Sequence, residues 1–181
     1  MSWIHLLAVG DVDARLLEDL RTDLEDSFRC GCRIVPGRLD PEFALHPARL
    51  QCHSTEILGR IRGFIQTDTW RMVGVTDADL YIPILTFVFG EAQVGDSCAL
   101  VSSHRLRQEF YGLPGDPLLL RERLLKEAVH ELGHTLRLAH CDDYRCAMAA
   151  SHAVEWIDLK GSRLCRACGS SASGGAGAAG G

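Results

Sequence analysis

Lysine is nearly missing from this chain of 181 residues: Lys126 and Lys160 are the only two among 19 basic residues. With 24 acidic residues the formal net charge is −5, so there is no basic field to draw the protein to nucleic acid. Arginine dominates the cations, which says little about function. No apolar run is long enough to span a bilayer, so no membrane partner is expected. Residues 1–10 carry no basic segment ahead of their short apolar run, so they do not read as a secretory signal. The eight cysteines are then expected to act as thiolates in a reducing compartment, the cytoplasm, rather than as a disulfide framework.

What is present is ordinary for a globular protein. Apolar residues make up 46% and charged residues 24%, enough to build a core. The length suits one domain, expected over residues 1–169 and acting as a monomer. Residues 170–181 are nearly all Gly, Ala and Ser and are expected to be a flexible tail.

The chain opens with an apolar run at residues 4–9, ended by Gly10, which reads as a buried strand. Asp11 or Asp13 can cap a following helix whose stripe is Val12, Leu16, Leu17, Leu20 and Leu24. Residues 33–35 then predict a strand, with a turn at Pro36-Gly37. A strand, helix, strand start favours an α/β arrangement. Ile57, Leu58, Ile61 and Ile65 stand at helical spacing behind Ser54 or Thr55 as cap, and Gly59 and Gly63 weaken that helix. Further strands are predicted at residues 72–75, 87–89 and 98–103. Asp116-Pro117 is a helix start, with Asp as N-cap and Pro at the first helical position. Leu120, Leu124, Ala128 and Leu132 give that helix an apolar stripe. Cys30 and Cys32, and likewise His46, Cys52 and His53, have no matching ligand pair nearby, so ordinary structural roles are expected for them.

The helix begun at Asp116 runs into His130-Glu131-Leu132-Gly133-His134. Four residues are about 400° of helical rotation, so His130 and His134 share one face, one turn apart. Two imidazoles so placed can bind one metal ion, and Glu131 stands where it reaches a metal-bound water. This is the H-E-x-x-H pattern of zinc hydrolases, with two histidine ligands and the glutamate as general base. His140 follows six residues after His134, about 600° on, and a straight helix would aim it roughly 120° away. It can join the site only if the helix ends soon after His134 and the chain turns back. The plain alternative is a buried helix with chance histidines.

Cys141 follows at once, then Cys146, and after eighteen residues Cys165 and Cys168. Two such pairs, C-x4-C and C-x2-C, suit a closed tetrahedral zinc on four thiolates, which would fix the C-terminal segment. A redox role for Cys165 and Cys168 is the alternative, and nothing near them suggests a thioredoxin-like unit.

The helix, turn and third histidine resemble the metzincin metallopeptidases. The run from His130 through His140, Cys141, Cys146 and Met148 to Cys165 and Cys168 looks like one branch, the archaemetzincins. The segments at residues 74–81 and 87–92 are similar to that branch, and residues 54–58 more weakly so. The resemblance implies a compact metzincin-like α/β fold: a twisted mixed β-sheet, an active-site helix and a zinc-bound C-terminal segment. It implies a zinc peptidase acting on peptide or protein substrates, with Zn²⁺ twice per chain, one catalytic on His130, His134 and His140 and one structural on the four cysteines. Glu131 would assist attack of a zinc-bound water, and Met148 would form an apolar floor beneath the catalytic zinc. An edge strand near Phe87-Val88-Phe89 would border the cleft and pair with substrate backbone.

One position departs from the family. Metzincins place Gly three residues after the second histidine, where the turn favours φ > 0, and here Arg137 stands there. The alternative to an enzyme is therefore a non-catalytic zinc protein that binds peptides or a partner, its histidine site distorted by Arg137.

Overall fold

The computed structural model describes residues 2–175. Its frame is a five-stranded sheet in the order β2-β1-β5-β8-β7. These strands are β1 (Trp3–Val9), β2 (Cys32–Leu39), β5 (Thr69–Thr76), β7 (Gly90–Ala92) and β8 (Cys98–Ser102). All neighbours run parallel except β7, which closes one edge antiparallel to β8. Between them, β3 (Leu45–His46), β4 (Gln51–His53) and β6 (Leu80–Tyr81) make a small second sheet. The expected mixed sheet is thus observed.

Alternation along the strands gives the sheet two apolar faces. Ile4, Leu6, Val73, Val75, Ala99 and Val101 pack beneath α1 (Ala14–Phe28) and α3 (Pro117–Thr135). Leu7, Val9, Met72 and Leu100 face α2 (Ser54–Ile61) through its Ile57, Leu58 and Ile61. Asp13, of the two candidate caps, starts α1 by accepting a bond from the Leu16 N–H. Neither Ser54 nor Thr55 caps α2: its N-cap is His53, without a side-chain bond, and Ser54 Oγ donates to the Tyr81 carbonyl instead. The α-helical geometry stops at Ile61, short of Ile65, and Arg62–Phe64 tighten into a 3₁₀ turn around Gly63.

Two strand expectations need correction. β2 does not stop before Pro36-Gly37 but runs through them to Leu39. Its register with β1 slips there, from Leu6 opposite Ile34 to Ala8 opposite Arg38, so the pair forms a bulge and not a turn. β2 is an edge strand, which spares Pro36 a ladder bond, and Gly37 (φ 97) supplies the bend. Residues 87–89 are not a strand either. Only Val88 bridges Leu80, and the strand of this region is Gly90–Ala92. Phe87 and Phe89 instead stack edge to face, 5.2 Å apart, beside the core.

α3 is the central helix. Asp116 Oδ1 accepts the N–H groups of Leu118 and Leu119, and Pro117 occupies the first turn as the sequence predicts. Residues 126–133 are all buried, because the sheet, α1 and α4 (Val154–Leu159) surround them. The last helix, α5 (Arg166–Gly175), carries on through Ser170, where the tail was expected to begin. Residues 176–181 of that expected tail lie outside the described residues.

Candidate metal centres and active-site cleft

α3 ends at Thr135 in a tight C-terminal turn. The Arg137 N–H bonds the His134 carbonyl (3.0 Å) and the Leu138 N–H bonds the Gly133 carbonyl (3.1 Å). This is a Schellman motif, whose penultimate residue must be left-handed. Arg137 takes that conformation (φ 66) despite its Cβ. Its side chain lies over Gly95 in the β7–β8 turn, and the Gly95 N–H also bonds the His134 carbonyl, at 3.0 Å. The turn that metzincins make with glycine is therefore made here with arginine, and it sends the chain back so that His140 meets the helix. The ring centroids of His130, His134 and His140 stand 4.7–5.3 Å apart.

Hydrogen bonds fix how these rings present themselves. His130 Nδ1 faces the Ala147 carbonyl and His134 Nδ1 the Leu138 carbonyl, each at 2.9 Å. A carbonyl only accepts, so each neutral ring carries its proton on Nδ1 and leaves Nε2 bare. The two Nε2 atoms are nevertheless 3.1 Å apart. Two lone pairs at that distance repel unless a cation lies between them. Nitrogen ligands on a tetrahedral zinc, bound at about 2.0–2.1 Å, stand about 3.3 Å from each other. The donor set fits a metal, with the orienting carbonyls that such ligands need. Burial, then the Lys160 ammonium, pushes His130 down to about 3, which keeps its ring neutral.

Glu131 is buried against β7. A Cβ on Gly90 would stand 2.9 Å from Glu131 Oε1 and 2.6 Å from the Leu100 carbonyl oxygen, so glycine is needed there. Burial and then Glu127 hold the Glu131 carboxyl well above the usual carboxylate range, Lys160 works against them, and Glu91 adds to the rise. A carboxylate raised in this way is a stronger proton acceptor once ionised. Around it lies a cleft of about 360 Å³. The histidines and Glu131 form one part of its lining, Ile82 and residues 85–92 another, and Ala150, Ser151 and His152 a third. β7, at the sheet edge, runs along it.

The four later cysteines also converge. Their sulfurs all lie within 4.8 Å of one another, and Cys141 Sγ is 3.8 Å from Cys165 Sγ. Thiolates on a tetrahedral zinc at about 2.3 Å are about 3.8 Å apart. The Cys146 sulfur accepts the N–H groups of Cys165 (3.2 Å) and Met148 (3.4 Å). Cys165 is brought down to about 7, chiefly by the backbone N–H of Cys168, whereas burial and then its neighbouring thiols push Cys168 up. This donor set fits a closed zinc site.

The family model described as "Peptidase family M54" matches residues 45–172. The chain belongs to peptidase family M54. It is accordingly a zinc metallopeptidase of the archaemetzincin family. It is 42% identical over 165 residues to the archaemetzincin of Methanocaldococcus jannaschii, covering 91% of this chain and 89% of that protein. It is 48% identical over 174 residues to that of Pyrococcus furiosus, at the same coverage. A crystal structure of a zinc-dependent peptidase from Methanocorpusculum labreanum matches with a TM-score of 0.86 and 28% identity, over 93% of this chain and 99% of that one.

In this M54 peptidase Met148 lies beneath the histidine-bearing helix, fully buried with Leu138 and Cys146. Cys30, Cys32, Cys52, His46 and His53 join neither metal group. His46 and His53 flank the Tyr81 ring, and Cys32 and Cys52 are buried in the core. Sequence reasoning missed Gly90, Glu127 and Lys160. The side chains of Lys160 and Glu127 are 0% and 4% exposed, with Nζ 2.7 Å from Oε1. The sparseness of lysine was the only available signal for Lys160, and nothing tied it to the site. Among the described residues no helix is long and apolar enough to cross a membrane.

Proposed function

We propose that this archaemetzincin holds one zinc ion on His130, His134 and His140 and a second on Cys141, Cys146, Cys165 and Cys168, and that it cleaves peptide bonds with Glu131 as the base. The observation that carries this reading is the pair of bare Nε2 atoms 3.1 Å apart, each with its Nδ1 committed to a carbonyl. When bound at the histidines, zinc supplies Lewis-acid polarisation of the scissile carbonyl and acidifies water towards a pKa of roughly 7. Glu131 takes the proton of the attacking water and passes it to the leaving amine. Its raised proton affinity suits the first of these steps. Gly90 leaves room for its carboxylate at the sheet edge. The free edge of β7 pairs with an extended peptide backbone, and Phe87, Val88 and Phe89 line the cleft beside it. The eight unpaired thiols suit a reducing compartment such as the cytoplasm.

The test is a Glu131→Ala protein loaded with zinc. Two zinc peaks in an anomalous map and cleavage of a peptide library by the parent, lost in the variant with both metals retained, are expected. Retained cleavage by the pure variant would sink the assignment of Glu131. A single peak on the cysteines would sink the histidine site.

A further inference from the structure

Lys160 and Glu127 form a buried ion pair to which the peptide hydrolysis described gives no direct part. Glu127 lies one helical turn before Glu131. Lys160 reaches it from the segment between α4 and the last two cysteines. Glu127 Oε1 accepts no well-aligned hydrogen bond, so attraction between the charges holds the 2.7 Å contact. Burying such a pair usually gains no stability over apolar side chains of the same size, because desolvation costs about as much as the attraction returns. Its reason is better sought in what else it touches.

Lys160 Nζ also donates to the Ala149 carbonyl at 3.2 Å and stands 3.5 Å from His130 Nδ1. His130 Nδ1 itself donates to the Ala147 carbonyl, two residues from Ala149. One ammonium therefore grips both α3, through Glu127, and the 147–149 loop that orients His130. Its own segment is tied to the four-cysteine cluster. Gly161 N–H bonds the Arg145 carbonyl and Ala147 N–H the Arg163 carbonyl, each at 2.9 Å, on either side of Cys146.

We propose that Lys160, fixed by Glu127, is a positioning residue that sets His130 for metal binding and couples the four-cysteine cluster to the three-histidine cluster. A metal on the cysteines holds the 160–165 segment against the 145–148 loop. That keeps Lys160 in place, and Lys160 holds the Ala149 carbonyl and, two residues away in the same loop, the Ala147 carbonyl that orients His130. The inference rests on the reading that both clusters bind metal.

The experiment is a cobalt(II) titration of the full chain, competed with a chelator and followed optically. Thiolate charge-transfer bands report the cysteine site and weaker visible bands the histidine site. In Glu127→Gln/Lys160→Met, which removes both charges together, the cysteine site is expected to fill normally. The histidine site should weaken about tenfold or more, the usual effect of losing an outer-shell partner. Should that pair fail to fold, Glu127→Gln alone is expected to weaken the histidine site in the same direction, since Lys160 then loses the carboxylate that fixes it. Cysteine-site removal by Cys165→Ser/Cys168→Ser should weaken the histidine site in the parent and add little in the charge-free variant. Unchanged histidine-site affinity in the folded charge variant, or fully additive effects, would overturn the proposal. A parent that binds no cobalt at the histidines would instead overturn the metal-site reading beneath it.

Discussion

The Met148 sulfur rests directly on Gly133: a Cβ added to that glycine would stand 2.2 Å from Sδ and 3.0 Å from Cε. Gly133 lies inside the helix between the two histidines of the H-E-x-x-H segment, where alanine would ordinarily be worth about 1 kcal/mol more. Overpacking a core contact costs on the order of 1–3 kcal/mol, so the clash should win. Gly133→Ala is predicted to lower stability in urea denaturation and to loosen metal at His130 and His134. A more stable Gly133→Ala protein would show that the methionine moves aside freely.

Arg137 occupies the left-handed turn that brings His140 back. A non-Gly residue there costs roughly 1–2 kcal/mol, and glycine gives back part of that gain by freeing the unfolded chain. Arg137→Gly should therefore be neutral to about 1 kcal/mol stabilising, with the histidine site kept. Arg137→Val, with a β-branched side chain in the same turn, should destabilise and weaken histidine-site metal. Thermal melts and metal titration of both variants check this, and equal melting points for the two would contradict it.

Ser151 Oγ is buried in the cleft wall without a hydrogen-bond partner among the described residues. A buried hydroxyl in that state contributes little to folding, and its removal frees the protein of an uncompensated desolvation cost. Ser151→Ala is predicted to melt at the same temperature as the parent or higher. A loss of more than about 1 kcal/mol would mean that an ordered water serves the hydroxyl.

His5 is fully buried on β1, with Arg33 Nε donating to its Nε2 at 2.8 Å and Thr69 Oγ1 at 2.8 Å from its Nδ1. Burial, then the Arg33 guanidinium, lowers its pKa below the ordinary 6.5, with Asp68 opposing. The unfolded chain thus binds a proton that the native protein refuses. The contribution is fully present above pH 6.5 and is lost as pH falls through that value towards the native pKa. His5→Gln should flatten the fall of stability below pH 6.5, by at most about 1.4 kcal/mol per pH unit. Parallel pH curves for parent and variant would refute the assignment.

Both candidate metal groups were legible in the sequence because they are short-range patterns. The histidines fall within eleven residues, and the cysteines come in two short pairs. Asp116-Pro117 likewise announces the start of α3 without help from the rest of the fold. What stayed hidden depends on tertiary neighbours. Pro36-Gly37 reads as a turn unless it is known that β2 lies at a sheet edge, where a bulge is cheap. The aromatic run at residues 87–89 has the composition of a strand, but the ladder with β8 begins only at Gly90, where a missing side chain lets Glu131 approach. Glu127 and Lys160 look like surface charges in one dimension, since a buried pair is recognisable only when both partners are seen.

All five strands of the main sheet are complete by Ser102, whereas the histidines and cysteines that can hold metal run from His130 to Cys168. A ribosome therefore delivers the scaffold first and the chemistry last. The wall that Glu131 leans on, at Gly90, exists well before Glu131 itself is made. The sheet face beneath α3 is closed by Leu120, Leu124, Ala128 and Leu132, so the helix that completes the core is the same one that brings in His130, Glu131 and His134.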